Sequence, residues 1–155
     1  LLLASSFFPS GATASNTEAE KTIISINRVP LTTNCLVRYP VEPVIITQGY
    51  HFFHPAIDFD GKTGDAIYAI KEGVVREIQY SRFAYGKAII VNHGNGITSL
   101  YAHLSRINVS KNQTVTTSTK IGEMGATGHA FGDHLHLEVR ENGRPINPLS
   151  VLPSK

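Results

Sequence analysis

Cysteine is almost absent from this 155-residue chain, with Cys35 standing alone. A single thiol excludes an internal disulfide and a cysteine-built zinc site. Charge is also sparse, at 17% of residues with a net +2, and the Lys and Arg are scattered, which excludes the basic stripe expected of a nucleic-acid-binding protein. Beyond the first residues no stretch approaches the roughly 20 apolar residues of a membrane-spanning helix. No window holds apolar residues at i, i+3, i+4 and i+7 over a dozen positions, so long amphipathic helices are not expected. HExxH is missing too, and with it the helical two-histidine zinc motif. "DFDGKTGD" (58–65) begins like a calcium loop, but Lys62 and Thr63 stand where a calcium loop needs Asp or Asn and then Gly.

What remains is a one-domain length with 41% hydrophobic residues, and 13 Gly and 8 Pro that imply many turns. Residues 1–20, opening "LLLASSFFPSGATASN", run from an apolar tail into small residues, with Ala12-Thr13-Ala14 shaped like an A-x-A cleavage site. They are expected to be a signal-peptide or anchor remnant and linker, which puts the rest in the cell envelope or outside the cell. From Lys21 short β-branched runs follow one another, among them "TIISI", "CLVRY", "VIITQ", "AIDFD", "GVVREIQY", "KAIIVNH", "ITSLYAHL" and "HLHLEVR". Each is bounded by Gly, Asn, Asp or Pro, the pattern of strands and turns. The expectation is an all-β, antiparallel sheet or sandwich, with lead-in strands over 21–43, the domain proper over 44–150 and a tail over 151–155. Asn-Gly pairs in "NHGNGI" and "ENGRPI" suit tight hairpins.

The chemistry sits in the histidines. In "HLHLEV" the period of two sends His134, His136 and Glu138 to one face and Leu135, Leu137 and Val139 to the other. Same-face neighbours lie roughly 6.6 Å apart along a strand, so both rings can reach one small site. In "HPAIDFD", His54 and Asp58 would be roughly 13 Å apart on a straight strand, too far to share a metal, so the chain must bend at Pro55. "LYAHLS" adds His103 on another strand, with Tyr101 expected on the same face. Four His and one Asp exceed the three protein ligands a catalytic zinc takes, which leaves two imidazoles for proton transfer. The donor types suit zinc, but spacing does not say which histidine does which.

"HPAID", "YAHLS" and "TGHAFGDHLHLEVRENGRPINP", in this order, closely resemble the lysostaphin and LytM-type zinc metallopeptidases that cut peptidoglycan cross-bridges, over about Val44 to Pro148. The resemblance implies the LytM-like fold, one zinc ion held by His54, Asp58 and His136, and His103 and His134 as the catalytic pair. It implies peptidoglycan stem or bridge peptides as substrate, with an envelope protein as a further partner. Ala56, Asn112, Ser118 or Thr119, and Asp133 depart from the family's usual Gly, Gly, Gly and Pro. Some proteins on this scaffold lack several of the five residues and activate amidases or only bind peptidoglycan; all five are present here. Glu138 is expected either to orient a ligand histidine or to be a solvated strand-end charge, and His51, His93 and His129 fall outside the core site.

Overall fold

The computed structural model describes residues 36–154. Its strands are β1 (Ile46–Gln48), β2 (Ile57–Asp60), β3 (Ala66–Tyr68), β4 (Gly73–Tyr80), β5 (Lys87–Asn92), β6 (Ile97–Leu104), β7 (Arg106–Ile107), β8 (Thr114–Val115), β9 (Lys120–Glu123), β10 (His134–Glu141) and β11 (Arg144–Ile146). The larger sheet runs β1-β2-β10-β6-β5-β4-β8, with β11 also on β10, and the smaller runs β3-β9-β7. Every pairing is antiparallel, as expected from the sequence. The strands too short to show a pattern in the sequence, β7, β9 and β11, complete the two sheets.

One face of the larger sheet is apolar and packs on the smaller sheet. Ile57 and Phe59 of β2, Ile89 and Val91 of β5, Leu135, Leu137 and Val139 of β10, and Ile67 and Ile121 of the smaller sheet form one buried cluster. Burying each such side chain stabilises the fold by roughly 1.5–3 kcal/mol. The opposite face of the larger sheet carries the polar residues of the same strands. Both Asn-Gly hairpins form as expected: Asn95 and Gly96 have φ of 50° and 77°, Asn142 and Gly143 of 50° and 80°. Positive φ at both central residues is the geometry that matches strand twist in a two-residue turn.

Two expectations are corrected. Residues 36–39, the described part of the strand expected over "CLVRY", join no ladder; Arg38 N donates to Ile70 O, and Pro40 and Pro43, without N–H groups, interrupt further pairing. This segment packs on the core side, with Val41 buried and Tyr39 edge-on to Phe59 at 6.3 Å. "TIISI" lies outside the described residues.

The second correction concerns β6. Lys87 pairs with Leu104 and Ile89 with Tyr101, so β6 has two residues where β5 has one, and His103 takes a left-handed φ of 61°. This bulge breaks the alternation. Tyr101 and Leu104 both enter the core, and His103 turns to the polar face instead of sharing Tyr101's. Tyr101 is wholly buried, accepting from Ile70 N at 2.8 Å and sharing a hydrogen bond with Ser99 Oγ at 3.0 Å.

Ser99 in turn meets His93 Nε2 at 2.7 Å, and His93 Nδ1–H donates to Glu72 O at 2.8 Å. Burial pushes the His93 pKa below the ordinary value despite the carbonyl that favours its charge. The unfolded chain therefore binds more protons than the folded one once pH drops below about 6.5, and this contribution to stability, complete above that value, is lost on acidification. Thermal unfolding of wild type and His93→Gln between pH 8 and 5 should show a shallower acid decline of Tm in the variant; parallel curves would show that His93 does not titrate this way.

Candidate functional site

Register places the first two groups. His136 pairs directly with Asp58 across β10 and β2, and with Ala102 across β10 and β6. Asp58 Oδ1 lies 2.9 Å from His136 Nδ1. The bend expected at Pro55 is present: Ala56 N donates back to His54 O at 2.8 Å, closing a one-residue turn that folds His54 over the start of β2. Ala56 is fully buried, so its methyl group is accommodated. His54 Nε2 thereby comes within 3.1 Å of Asp58 Oδ2.

His54 Nδ1 donates to Gly49 O at 3.2 Å, which leaves Nε2 as a bare lone pair. That nitrogen is buried, off the line a hydrogen bond to Asp58 requires, and has no other hydrogen-bond partner. A buried lone pair beside a carboxylate is costly unless a cation lies between them. The ligand atoms of His54, Asp58 and His136 all lie within 4.8 Å of one another, and this is the only such group among the described residues. With zinc–ligand bonds of roughly 2.0–2.2 Å, two ligands on one tetrahedral ion are separated by roughly 3.3 Å, close to the observed spacings. Two nitrogens and one oxygen fit zinc.

Glu138 settles against the solvated reading. Its side chain is 2% exposed, Oε1 receives the Tyr85 hydroxyl and lies 3.4 Å from His136 Nε2, and Oε2 accepts from Arg140 Nε at 3.0 Å and Nη2 at 2.7 Å. With Nε2–H on Glu138, His136 presents Nδ1 to the Asp58 side. Burial opposes charge on each of these groups, but their mutual bonds prevail: Glu138 is held down at about 2 and His136 is carried up to about 9. Asp58 also lies below the usual carboxylate range, where burial is outweighed by its bond to His136 and by the surrounding imidazoles. Tyr85, buried and beside Glu138, is pushed up to about 12 and remains a donor.

His103 and His134 stand beside this group, with ring centroids 4.7 Å apart, and His103 lies 5.7 Å from His136. His103 Nδ1–H donates to Thr127 O at 2.8 Å and His134 Nδ1–H to Gly132 O at 3.0 Å, so each neutral ring keeps Nε2 as its acceptor. Burial lowers the His103 pKa, with the Thr127 carbonyl opposing, and keeps that ring neutral near pH 7. The five expected residues thus meet at one cleft of about 440 Å³, which His129 and Phe131 also line. His51 stacks near His54 at 5.6 Å, and His93 lies in its own network away from the cleft. Tyr85 and Arg140 also line a larger cavity of about 730 Å³ on the same sheet face, which contains no histidine or aspartate. Their roles beside Glu138, and the carbonyls of Gly49, Thr127 and Gly132, had no signal in the sequence.

A model of peptidase family M23 matches residues 52–148. The chain is 34% identical over 126 residues to the DD-carboxypeptidase/endopeptidase Mpg of Neisseria meningitidis, covering 73% of this chain and 29% of Mpg. It is 37% identical over 120 residues to the murein hydrolase activator NlpD of Escherichia coli, covering 76% of this chain and 31% of NlpD. The solved structure of a zinc-containing peptidase from Vibrio cholerae has a TM-score of 0.68 at 29% identity, over 78% of this chain and 40% of that one. The chain therefore spans less than a third of the length of these two sequence relatives.

Removing the charge on Glu138 while keeping its shape should loosen the grip on His136. Glu138→Gln is expected to weaken zinc binding roughly 10–100-fold in a competition titration; an unchanged affinity would show that His136 is oriented without it.

Proposed function

Since the chain belongs to peptidase family M23, we propose that it is a zinc-dependent endopeptidase hydrolysing the peptide cross-links of bacterial peptidoglycan in the cell envelope or outside the cell. The observation that carries this reading is the pairing of two sets of groups: a three-residue donor set with an orphaned buried nitrogen, and two free imidazole acceptors beside it. Mpg, by its name an endopeptidase, supports it. NlpD, by its name an activator, supports a second reading, in which the cleft binds peptidoglycan or a partner enzyme without turnover.

His54, Asp58 and His136 would hold the metal. Zinc there supplies Lewis acidity toward a carbonyl and toward water. The chain's own residues do the rest. His134 Nε2, unprotonated while Nδ1–H is held by Gly132, accepts the proton of the attacking water and returns it to the departing amine. His103, kept neutral by burial and fixed by Thr127, can share the proton transfer at Nε2, and once protonated there it donates a hydrogen bond to the tetrahedral intermediate. Glu138 and Arg140 keep the His136 ring from turning, while the open cleft lets a peptide lie across the site.

Metal content and peptide release measured together separate the roles. His54→Ala, Asp58→Ala and His136→Ala should lose zinc and turnover together, whereas His103→Ala and His134→Ala should retain zinc and lose roughly 10²–10⁴ in rate. Zinc-loaded wild-type protein that binds purified peptidoglycan and releases no peptide would favour the second reading.

A further inference from the structure

The loop that leads into β10, residues 124–133, is held unevenly. Its first half is fastened on several sides: Thr127 Oγ1 donates to Leu104 O at 2.7 Å and accepts from Lys87 N at 3.0 Å, and His129 N donates to Ala84 O at 2.9 Å. Gly128 lies so close to Gly86 that an added Cβ would stand 2.3 Å from its nitrogen. Past His129 these fastenings stop. Phe131 is 97% exposed, and Gly132 at φ 151° has no side chain to restrain its backbone. Besides the edge-on contact of Phe131 with His129 at 5.3 Å, this half is held where β10 begins, by His134 N donating to Gly125 O at 3.2 Å, and by Asp133, whose carboxylate accepts Thr63 N–H at 2.9 Å and the Thr63 hydroxyl at 2.7 Å.

The consequence falls on the adjacent residue. His134 has two neutral tautomers, and the Gly132 carbonyl selects the one that carries its proton on Nδ1. That carbonyl is in turn held between a flexible glycine and the anchored Asp133. We propose that Asp133 is a positioning residue: tied to Thr63, it keeps the Gly132 carbonyl against His134 Nδ1 and so keeps His134 Nε2 free as the acceptor facing the cleft. This rests on the reading of His134 as the group that moves the proton. Both Thr63 bonds converge on one carboxylate from a separate loop, so they form a two-point clamp that resists rotation where one bond would act as a hinge.

The clamp is tested by two readouts. In zinc-loaded, 15N-histidine-labelled protein at about pH 8.5, well above the ordinary histidine value, His134 should show a single Nδ1–H tautomer in wild type and a mixture in Asp133→Ala. On cross-linked peptidoglycan peptides Asp133→Ala should lower kcat roughly tenfold while KM, zinc content and Tm stay near wild type. Thr63→Ser, which keeps both donors, should behave as wild type, and Thr63→Val should fall between. Adding Thr63→Val to Asp133→Ala should cost nothing further, since the two act through one contact. An unchanged tautomer and kcat in Asp133→Ala, additive effects of the two substitutions, or a parallel loss of zinc and Tm would overturn the proposal. Zinc-loaded wild type that hydrolyses no peptide would instead sink the endopeptidase reading, and the tautomer measurement would still decide the role of Asp133.

Discussion

The placement of the whole site depends on the register of β10 between β2 and β6. Because side chains alternate, a slip of one residue would move His134, His136 and Glu138 into the core and expose Leu135, Leu137 and Val139. Three fully buried aliphatic side chains, each contributing roughly 1.5–3 kcal/mol, oppose that slip. The core thus fixes the Asp58–His136 pairing more firmly than the polar contact itself does. A buried ion pair loses to desolvation much of what it gains in attraction.

On the polar face the constraint is different. Each of the four imidazoles of the proposed metal and proton-transfer groups has its second nitrogen committed to a fixed acceptor: Gly49 O for His54, Thr127 O for His103, Gly132 O for His134 and Glu138 for His136. Three of these are main-chain carbonyls, whose positions follow from the fold and not from a side-chain choice. The fourth is the buried Glu138, neutralised by Arg140 and capped by Tyr85. Every ring is therefore oriented before anything binds. Buried polar atoms almost always find partners, and the one described exception, His54 Nε2, is a proposed metal ligand.

This division explains what could be read from the amino-acid string. Alternation in "HLHLEV" put His134, His136 and Glu138 together because the strand is regular there, and Pro55 signalled the turn that brings His54 back to Asp58. The recognition of the three motifs rested on side chains, and the matching family confirms it. The carbonyl partners were illegible since any residue type can supply one. Glu138 was ambiguous for a related reason: its burial comes from Tyr85, 53 residues away in sequence, and from Arg140, and neither marks itself by spacing. The strand expected over "CLVRY" joins no ladder in its described part, 36–39, where Arg38 N bonds Ile70 O but Pro40 and Pro43, which follow, lack the donors that would extend the pairing.

His103 shows where period-two reasoning breaks down, and why it does so at this position. A regular β6 would point His103 into the core with Tyr101, burying an imidazole in the apolar cluster that holds Ile89 and Ile121. One extra residue opposite Ala88 turns it to the other face at the cost of a left-handed backbone, of order 1–3 kcal/mol for a residue other than glycine. That cost is offset locally: the same twist sends His103 N to Tyr85 O and Nδ1 to Thr127 O, while Leu104 takes up the vacated core position. The two loops recruited by these bonds, around Tyr85 and Thr127, are the ones joined by the Gly86–Gly128 contact, so a single bulge both delivers an imidazole to the cleft and ties down the wall beside it.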